Sequence, residues 1–372
     1  MPALDYLAAP GEAVTRADAI RVRRRGVELG WVVPRAQASS DSTCLARYWA
    51  AARPIYLADF VTTEVAEYSE HIAQGLRLMD AVLAGEDLED ILHGPPYAAR
   101  LAPDFRLLPA GIDTGDEQEI LRLDFDAYAG ERLLAEDLWV KLSWLSFHPD
   151  DASLRFRFSF GIEGYENVAA HWHKQQLAAR LTEAIFPESA IVSRNSFLRE
   201  LLGSILPADD VAYVERIVYF NAPNGGAQFH QDVERGHLGV VFAQLHGRSL
   251  WLALSRQQLL QELAAFLRTS LSGLQAGAAE RARLQALAGD AAELAAALEA
   301  GDDAVEAVLN RAPEFFAHLL RQGHGWLLEP GDLILLPQQN PEHCAWHSVF
   351  CADDFPGHAL SFAIRERPAD HQ

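Results

Sequence analysis

The pattern of hydrophobic and polar positions changes along the first half of the chain, and each change predicts a different element. From Thr63, which can cap a helix, hydrophobic side chains recur at helical spacing as far as Leu83. Residues 140–144 and 154–160 alternate between hydrophobic and polar positions, which predicts an antiparallel hairpin with one buried face. Another helix is predicted over residues 168–186, where apolar side chains recur on one side.

The second half of the chain, from about residue 215, is typical of short strands separated by turns. The predicted strands cover residues 216–220, 229–233, 238–245, 249–254, 325–328, 332–337, 346–350 and 358–364. Between the fourth and fifth of them, residues 255–322 are rich in Ala, Leu, Glu and Gln, which are strong helix formers. This segment predicts two or three helices inserted between strands.

These patterns predict a mainly β protein with helices, in two parts. An α+β region covers residues 1–200 and packs on a strand-rich region, residues 201–372. We expect the helical insertion, residues 255–322, to lie between neighbouring strands of the second region, because the strand pattern resumes after it as if uninterrupted. The insertion is a candidate for a lid or for a homodimer contact.

Composition narrows the class of protein. The chain has 372 residues, of which 49% are hydrophobic, so it can bury a sizeable core. It has no run of eighteen or more apolar residues and no signal-peptide pattern at the N-terminus. Its three cysteines are scattered, so they predict no disulfide framework. We therefore expect a cytoplasmic protein without a membrane partner.

The formal net charge of −21 argues against a nucleic-acid partner, which needs a basic surface. An acidic surface favours a cationic substrate or partner. Solubility alone would also account for the charge, and both interpretations stay open.

The candidate chemistry begins with His230-Gln231-Asp232. Residues two apart in a strand face the same way, so the imidazole and the carboxylate can point at one site. Two histidines and one carboxylate on one face leave open positions on a metal and suit non-haem ferrous iron. A third ligand could come from His347, on another apolar strand, or from His343, in the loop before it.

Four stretches resemble the JmjC-type, cupin-like oxygenases that use Fe(II) and 2-oxoglutarate, and are similar to asparaginyl and ribosomal-protein hydroxylases. They are Phe229–Asp232, Phe242–Trp251, Leu328–Pro337 and Trp346–Val349. The resemblance implies a double-stranded β-helix, also called a jelly-roll or cupin-like barrel. It further implies hydroxylation of a C–H bond in an amino-acid, peptide or protein substrate.

The resemblance also implies the roles of particular residues. It favours His347 over His343 as the third iron ligand, because His347 follows Trp346 within an apolar strand, as the distal histidine of the family does. Fe(II) would then be bound by His230, Asp232 and His347. His343 would lie near these ligands without binding the metal.

The co-substrate 2-oxoglutarate needs a cation for its far carboxylate, and the positions that supply one in the family are Ser249 and the neighbourhood of His358 here. Two arginines are alternatives. Arg365, on the last strand, shares strand alternation with Ser361, and we expect it to bind the carboxylate with a hydroxyl from Ser361 or Ser249. Arg248 would point inward if the register slipped by one residue.

Two other classes of function stay open. Because Ser249 and His358 replace the usual cations, the first is a cupin-type metalloenzyme that does not use 2-oxoglutarate. The second is a non-catalytic binding module that retains the fold, against which the complete ligand set argues. His358 and Gln244, like His343, are candidates for residues that surround the metal ligands.

Overall fold

The computed structural model describes most of the chain. The described residues are 20–24, 27–32, 42–108, 119–145, 155–162, 172–206, 208, 210–223, 225–233, 236–271, 274 and 276–367. Residue 154 and residues 168–171, which belong to predicted elements, lie outside them. None of the helices in this part of the chain combines the length and apolar character that crossing a membrane requires.

Strands dominate the second half of the chain and are also present in the first. They are β1 (Ile20–Arg24), β2 (Val27–Val32), β3 (Ile55–Leu57), β4 (Phe105–Leu107), β5 (Glu119–Ala129), β6 (Arg132–Leu145), β7 (Arg155–Ile162), β8 (Val211–Asn221), β9 (Gly226–His230), β10 (His237–His246), β11 (Ser249–Ser255), β12 (Gly325–Leu328), β13 (Leu333–Asn340), β14 (His343–Cys351) and β15 (Gly357–Glu366).

The helices form two groups, one on each side of residue 211. The first group is α1 (Ser42–Ala50), α2 (Thr62–Glu67), α3 (Ser69–Leu83), α4 (Leu88–His93), α5 (Tyr97–Leu101), α6 (Trp172–Ile185), α7 (Ala190–Ser193) and α8 (Ser196–Ile205). The second group is α9 (Arg256–Ser270), α10 (Ala278–Leu287), α11 (Ala291–Ala300), α12 (Asp303–Arg311) and α13 (Pro313–Arg321).

Antiparallel pairing connects the strands. β1 pairs with β2, and the other thirteen described strands form one network. A larger group runs in the order β3-β13-β10-β15-β8-β7-β6-β5-β4, and a smaller group runs β12-β11-β14-β9. The hairpin between β13 and β14 joins the two groups. The fold is therefore mainly antiparallel β with helices. Because β7 pairs with β8, the strand network continues across residue 201, where the second of the two expected regions begins.

The larger and smaller strand groups pack face to face. Val240 and Phe242 of β10 share an apolar core with Trp251 of β11 and Val349 of β14. The rings of Phe242 and Trp251 meet edge to face at 4.6 Å between centroids. These side chains define the interior face of each strand group, and alternate residues point away from it.

Helices cover the two outer faces. Val241 of β10 and Phe362 of β15 belong to a core shared with the first helix group. Leu252 of β11 and Phe350 of β14 belong to a core shared with the second group, α9 to α13. Because both faces of these strands are buried, their sequences are almost continuously hydrophobic, for example Leu238–Leu245.

The helical segment differs from its prediction in the number of helices, because its described residues contain five where two or three were expected. Its alanine-rich sequence is interrupted by residues that end or begin helices. Asp290 and Asp302 accept hydrogen bonds from the first turns of α11 and α12, Gly301 takes the left-handed conformation at φ 64°, and Pro313 begins α13. The strands that flank the segment, β11 and β12, pair with each other.

Candidate metal centre

Strands β9 and β14 bring the two candidate histidine ligands together. They pair antiparallel, and His230 lies opposite His347 in the register. The strands approach closely because Gly226 has no side chain: a Cβ there would lie 1.8 Å from the carbonyl oxygen of Val349. His230 is the last residue of β9, so the third candidate ligand, Asp232, lies in the connection to β10.

The predicted strand 229–233 is wrong beyond His230. The backbone leaves the strand ladder because local side chains satisfy it: Gln231 Oε1 accepts from the backbone N–H of Val233, and Gln338 Oε1 accepts from that of Asp232 at 3.3 Å. Asp232 therefore reaches the site from a turn and not by strand alternation.

The three candidate ligands converge. Nε2 of His230 lies 3.4 Å from Oδ1 of Asp232, and Nε2 of His347 lies 3.5 Å from its Oδ2. One ligand atom from each residue lies within 4.8 Å of the other two. In the described part of the chain, no other three His, Cys, Asp or Glu residues come together in this way.

Backbone carbonyl groups orient both imidazoles. Nδ1 of His230 lies 2.7 Å from the carbonyl oxygen of Gln228, and Nδ1 of His347 lies 3.5 Å from that of Ala345. A proton on Nδ1 that is donated to a carbonyl leaves the Nε2 lone pair free for a metal. Two such lone pairs beside a carboxylate can hold a shared cation, and the set of two histidines and one carboxylate fits Fe(II).

The site is open on one side and closed on the other. The side chains of His230 and Asp232 are 28% and 36% exposed, whereas that of His347 is 4% exposed. The buried ring of His347 stacks on Trp251, with 5.2 Å between ring centroids. A ligand would therefore enter from the side of His230 and Asp232, and water would be excluded from the side of His347.

A buried polar network holds Trp251 in place. The indole N–H of Trp251 donates to Ser249 Oγ at 3.0 Å, and the Ser249 hydroxyl donates to Gln244 Oε1 at 2.8 Å. The Gln244 amide in turn donates to the carbonyl oxygen of His246 at 2.7 Å. Thus Ser249 and Gln244, two of the residues predicted near the site, act on it through Trp251.

A charged cluster lies next to Asp232. His237 Nδ1 lies 3.4 Å from the backbone oxygen of Asp232, and its Nε2 lies 2.8 Å from Glu215 Oε1. Arg365 donates to the same Glu215 oxygen at 3.2 Å. Burial disfavours the charged carboxylate, but the hydrogen bonds and charges of His237 and Arg365 outweigh it and lower the pKa of Glu215.

Sequence patterns did not indicate that Glu215 belongs to this cluster. It occupies a bulge of β8 with a positive φ of 46°, where the register with β15 shifts. Alternation along a regular strand would not direct its side chain to this position, and no residue type nearby marks the bulge.

The predicted co-substrate residues do not meet at one point. Arg365 and Ser361 lie on the same face of β15, but they are four residues apart, about 13 Å along the strand. Ser249 hydrogen-bonds with Gln244 and Trp251 instead. The expected combination of Arg365 with a hydroxyl from Ser361 or Ser249 therefore does not form here.

Arg248 does not turn inward, because it is bound at the outer end of the strands. Its guanidinium and its backbone N–H both donate to the carboxylate of Asp353. The two atoms that form the ion pair, Arg248 Nη2 and Asp353 Oδ1, are 2.5 Å apart. The register does not slip at this position, since Ser249 keeps its inward position opposite Cys351 and Leu328, so the condition under which Arg248 would point inward is not met.

Two of the histidines predicted near the ligands face other partners. His343 Nε2 lies 3.1 Å from the backbone oxygen of Trp49 in α1. His358 lies on the outer face of β15, fully buried, stacked on Phe220 at 4.4 Å and 3.0 Å from Glu188 Oε1. His358 therefore contributes to the contact with the first helix group and not to the site.

Comparison with known proteins gives likeness in structure only. No family model matches the chain, and no curated protein matches it. Its neighbours among solved structures include proteins of the 2-oxoglutarate and Fe(II) oxygenase class.

Two of these neighbours illustrate how distant the likeness is. An oxidoreductase of the 2OG-Fe(II) oxygenase family from Burkholderia pseudomallei is 8% identical, with a TM-score of 0.31, over 89% of this chain and 93% of that chain. A Pseudomonas putida prolyl-4-hydroxylase is 12% identical, with a TM-score of 0.27, over 88% of this chain and 99% of that chain. The function is therefore argued from the site alone.

Proposed function

We propose that this protein is a non-haem Fe(II)-dependent oxygenase whose metal ligands are His230, Asp232 and His347. The observation that carries the proposal is the convergence of these three ligand atoms within 4.8 Å of one another. The engagement of both Nδ1 atoms by carbonyl groups supports it, since each Nε2 is then available to the metal.

The proposed scaffold is a double-stranded β-helix. Support comes from the face-to-face packing of the two antiparallel strand groups, whose shared core contains Phe242 from one group and Trp251 from the other. In this proposal, β9 and β14 would hold His230 and His347 side by side, with His347 against Trp251 of the shared core. The division into an N-terminal region, residues 1–200, and a barrel with its insertion, residues 255–322, belongs to the same proposal.

Bound Fe(II) would supply the activation of dioxygen toward a C–H bond, and the residues of the chain would supply the environment. His347 and Trp251 close one side of the site against water. Ile217 and Ser361 lie opposite each other on β8 and β15 and are partly exposed although both lie on the interior face. They would line the space in which a substrate is positioned.

The proposed co-substrate is 2-oxoglutarate, and the proposed partner of its far carboxylate is Arg365. This arginine is 7% exposed, and its Nε has no hydrogen-bond partner in the described part of the structure. Its Nη2 donates to Glu215 at 3.2 Å. A dicarboxylate would accept from the unpaired Nε and compete with Glu215 for the rest of the guanidinium.

A second candidate is a metalloenzyme of the same fold that acts directly on its substrate without 2-oxoglutarate. The observation that favours it is the polar network at Ser249, the position where the family has a cation. Because Gln244 and Trp251 already use the Ser249 hydroxyl, a carboxylate there would find neither a charge nor a free donor.

The proposed substrate is an amino acid, a peptide or a protein side chain with cationic character. The net charge of −21 supports this class. A cytoplasmic location and the absence of a nucleic-acid partner remain expectations from the composition.

The proposed function is tested by metal binding in two histidine variants on one strand. Anaerobic titration with Fe(II) should show one site in the unaltered protein and a large loss of affinity in His347→Gln. The control is His343→Gln, on the same strand, whose side chain contacts Trp49 and not the site. Equal binding by the unaltered protein and His347→Gln would contradict the ligand assignment.

The same samples distinguish the two candidate reactions. If 2-oxoglutarate is the co-substrate, its addition to the Fe(II) protein should give a weak visible charge-transfer band, and turnover should yield succinate. Tight Fe(II) binding with neither signal would favour the second candidate.

A further inference from the structure

Gln338 is a buried polar residue at the end of an otherwise apolar run of β13. It follows Leu333–Pro337, and its side chain is fully buried. A buried primary amide is stable only when its donors and acceptor have partners. Gln338 finds them in the two segments that supply the candidate metal ligands.

The amide oxygen of Gln338 acts on the segment that carries Asp232. It accepts from the backbone N–H of Asp232 at 3.3 Å, in the turn where the chain has left the β9–β14 ladder. The Gln338 side chain therefore binds the backbone from which the carboxylate extends.

The amide nitrogen of Gln338 acts on the strand that carries His347. It donates to the carbonyl oxygen of Ala345 at 2.8 Å. The same carbonyl oxygen faces Nδ1 of His347 at 3.5 Å. Gln338 therefore contacts the group that orients the buried imidazole as well as the backbone of the carboxylate ligand.

We propose that Gln338 is a positioning residue for the metal site, because its amide joins Asp232 to the His347 strand and sets the separation of these two ligands. The inference rests on the proposed function, since it concerns the same site. An alternative is that Gln338 only fills space between β13 and β14. The two roles differ in their effect on the metal, because filling space requires neither hydrogen bond.

Two variants of Gln338 separate these roles. Gln338→Met keeps most of the length and volume of the side chain but removes both hydrogen bonds. Gln338→Glu keeps the shape and the acceptor for the Asp232 N–H but loses the donor to Ala345. The control is Gln339→Met, which makes the same change at the next residue of β13, where the side chain is half-buried and the register with β14 shifts.

The measurements are the dissociation constant for Co(II), used as a spectroscopic substitute for Fe(II), the visible absorption of bound Co(II), and the melting temperature without metal. We expect Gln338→Met to weaken Co(II) binding by about 10- to 100-fold, as removal of groups that orient ligands does. Its visible spectrum at saturation should also change, because the ligand geometry changes. Gln338→Glu should give a smaller loss, and Gln339→Met should bind like the unaltered protein.

The outcomes distinguish this inference from the proposed function. If the unaltered protein binds Co(II) and a folded Gln338→Met binds it equally, with the same spectrum, Gln338 is not a positioning residue. If Gln338→Met does not fold, equal binding and an equal spectrum in Gln338→Glu overturn the inference. A folded unaltered protein that binds neither Co(II) nor Fe(II) overturns the proposed function, and the inference with it.

Discussion

The Arg365 guanidinium lies beside the charged cluster at the open side of the site and is only partly used. Its Nη2 donates to Glu215 Oε1, while its Nε, although buried, has no partner among the described residues. An unpaired buried donor costs free energy, and a charged one costs more. Substitution of Arg365 therefore tests whether the reaction uses 2-oxoglutarate, whose far carboxylate this guanidinium would bind.

We predict that Arg365→Met weakens 2-oxoglutarate binding by about 100-fold, because a hydrogen bond to a charged group contributes about 1.5–3 kcal/mol. Fe(II) affinity should be nearly unchanged, since Arg365 contacts no candidate ligand directly. Titration of the anaerobic Fe(II) protein with 2-oxoglutarate, followed by the charge-transfer band, measures the first, and anaerobic titration with Fe(II) measures the second. The matched control is Arg367→Met, two residues along the chain, whose guanidinium pairs with Asp210 at the surface. Equal 2-oxoglutarate binding by Arg365→Met would remove Arg365 from the site.

At the scale of single residues, the sequence could indicate residues that form a short motif. The spacing of His230 and Asp232 predicted that their side chains lie together, and they do, at 3.4 Å, although a turn and not a strand brings the carboxylate there. Glu215 and Gln338 could not be found in this way. Their contacts depend on a β-bulge in one case and on the pairing of distant strands in the other, and neither leaves a local pattern.

At the scale of elements, the helical segment shows what composition predicts and what it does not. The alanine- and leucine-rich stretch correctly indicated helices over residues 255–322, because helix propensity is a local property. The number of helices depended on single capping residues, Asp290 and Asp302, which an average over composition hides.

One helix of the segment contacts the ligand strand directly. Asn310 in α12 accepts a hydrogen bond from the backbone N–H of Phe229 at 2.7 Å, and its amide donates to Glu306 at 2.7 Å. The ring of Phe229 also packs on Phe316 of α13, at 6.0 Å between centroids. The segment therefore supports the strand that ends at His230.

We predict that Asn310→Leu destabilises the protein by about 1–3 kcal/mol, because it leaves the buried Phe229 N–H without an acceptor. The free energy of unfolding from urea denaturation measures the change. Thr269→Val serves as a control, since Thr269 lies within the same helical segment and its hydroxyl contacts only the backbone of its own helix and the neighbouring Ser270. If Asn310→Leu lowers the free energy of unfolding no more than Thr269→Val does, α12 does not stabilise β9.

At the scale of the whole molecule, the first helix group is attached to the sheet through a buried ionisable pair. His358 of β15 and Glu188, in the turn after α6, are both fully buried and 3.0 Å apart. Helix α3 approaches this pair at Gly75, where a Cβ would lie 2.8 Å from Glu188 Oε1. The sequence could not indicate the contact, because its partners are 170 residues apart and neither belongs to a motif.

We predict that substitutions of His358 and Glu188 have strongly non-additive effects on the free energy of unfolding. Either His358→Leu or Glu188→Leu alone should cost about 3–5 kcal/mol, because the remaining partner stays buried without its counterpart. The double variant should cost clearly less than the sum of the two, and a double-mutant cycle in urea measures the difference. The exposed ion pair of Arg77 and Glu70 is the control and should show no measurable coupling. Additive losses at His358 and Glu188 would contradict the prediction.

The order of the strands also affects when the protein can fold during its synthesis. Among the described strands, β9 pairs only with β14, and β8 pairs with β15 as well as β7, so strands made early depend on strands made more than a hundred residues later. A nascent chain that ends before β14 would expose the apolar faces of β10 and β11 for the time that translation takes, a state prone to aggregation. Each helix between β11 and β12 is closed by hydrogen bonds within itself and can form sooner, which shortens the loop that must close. Metal affinity would thus be acquired only once β14 has been made, because that strand carries His347 and pairs with the strand of His230.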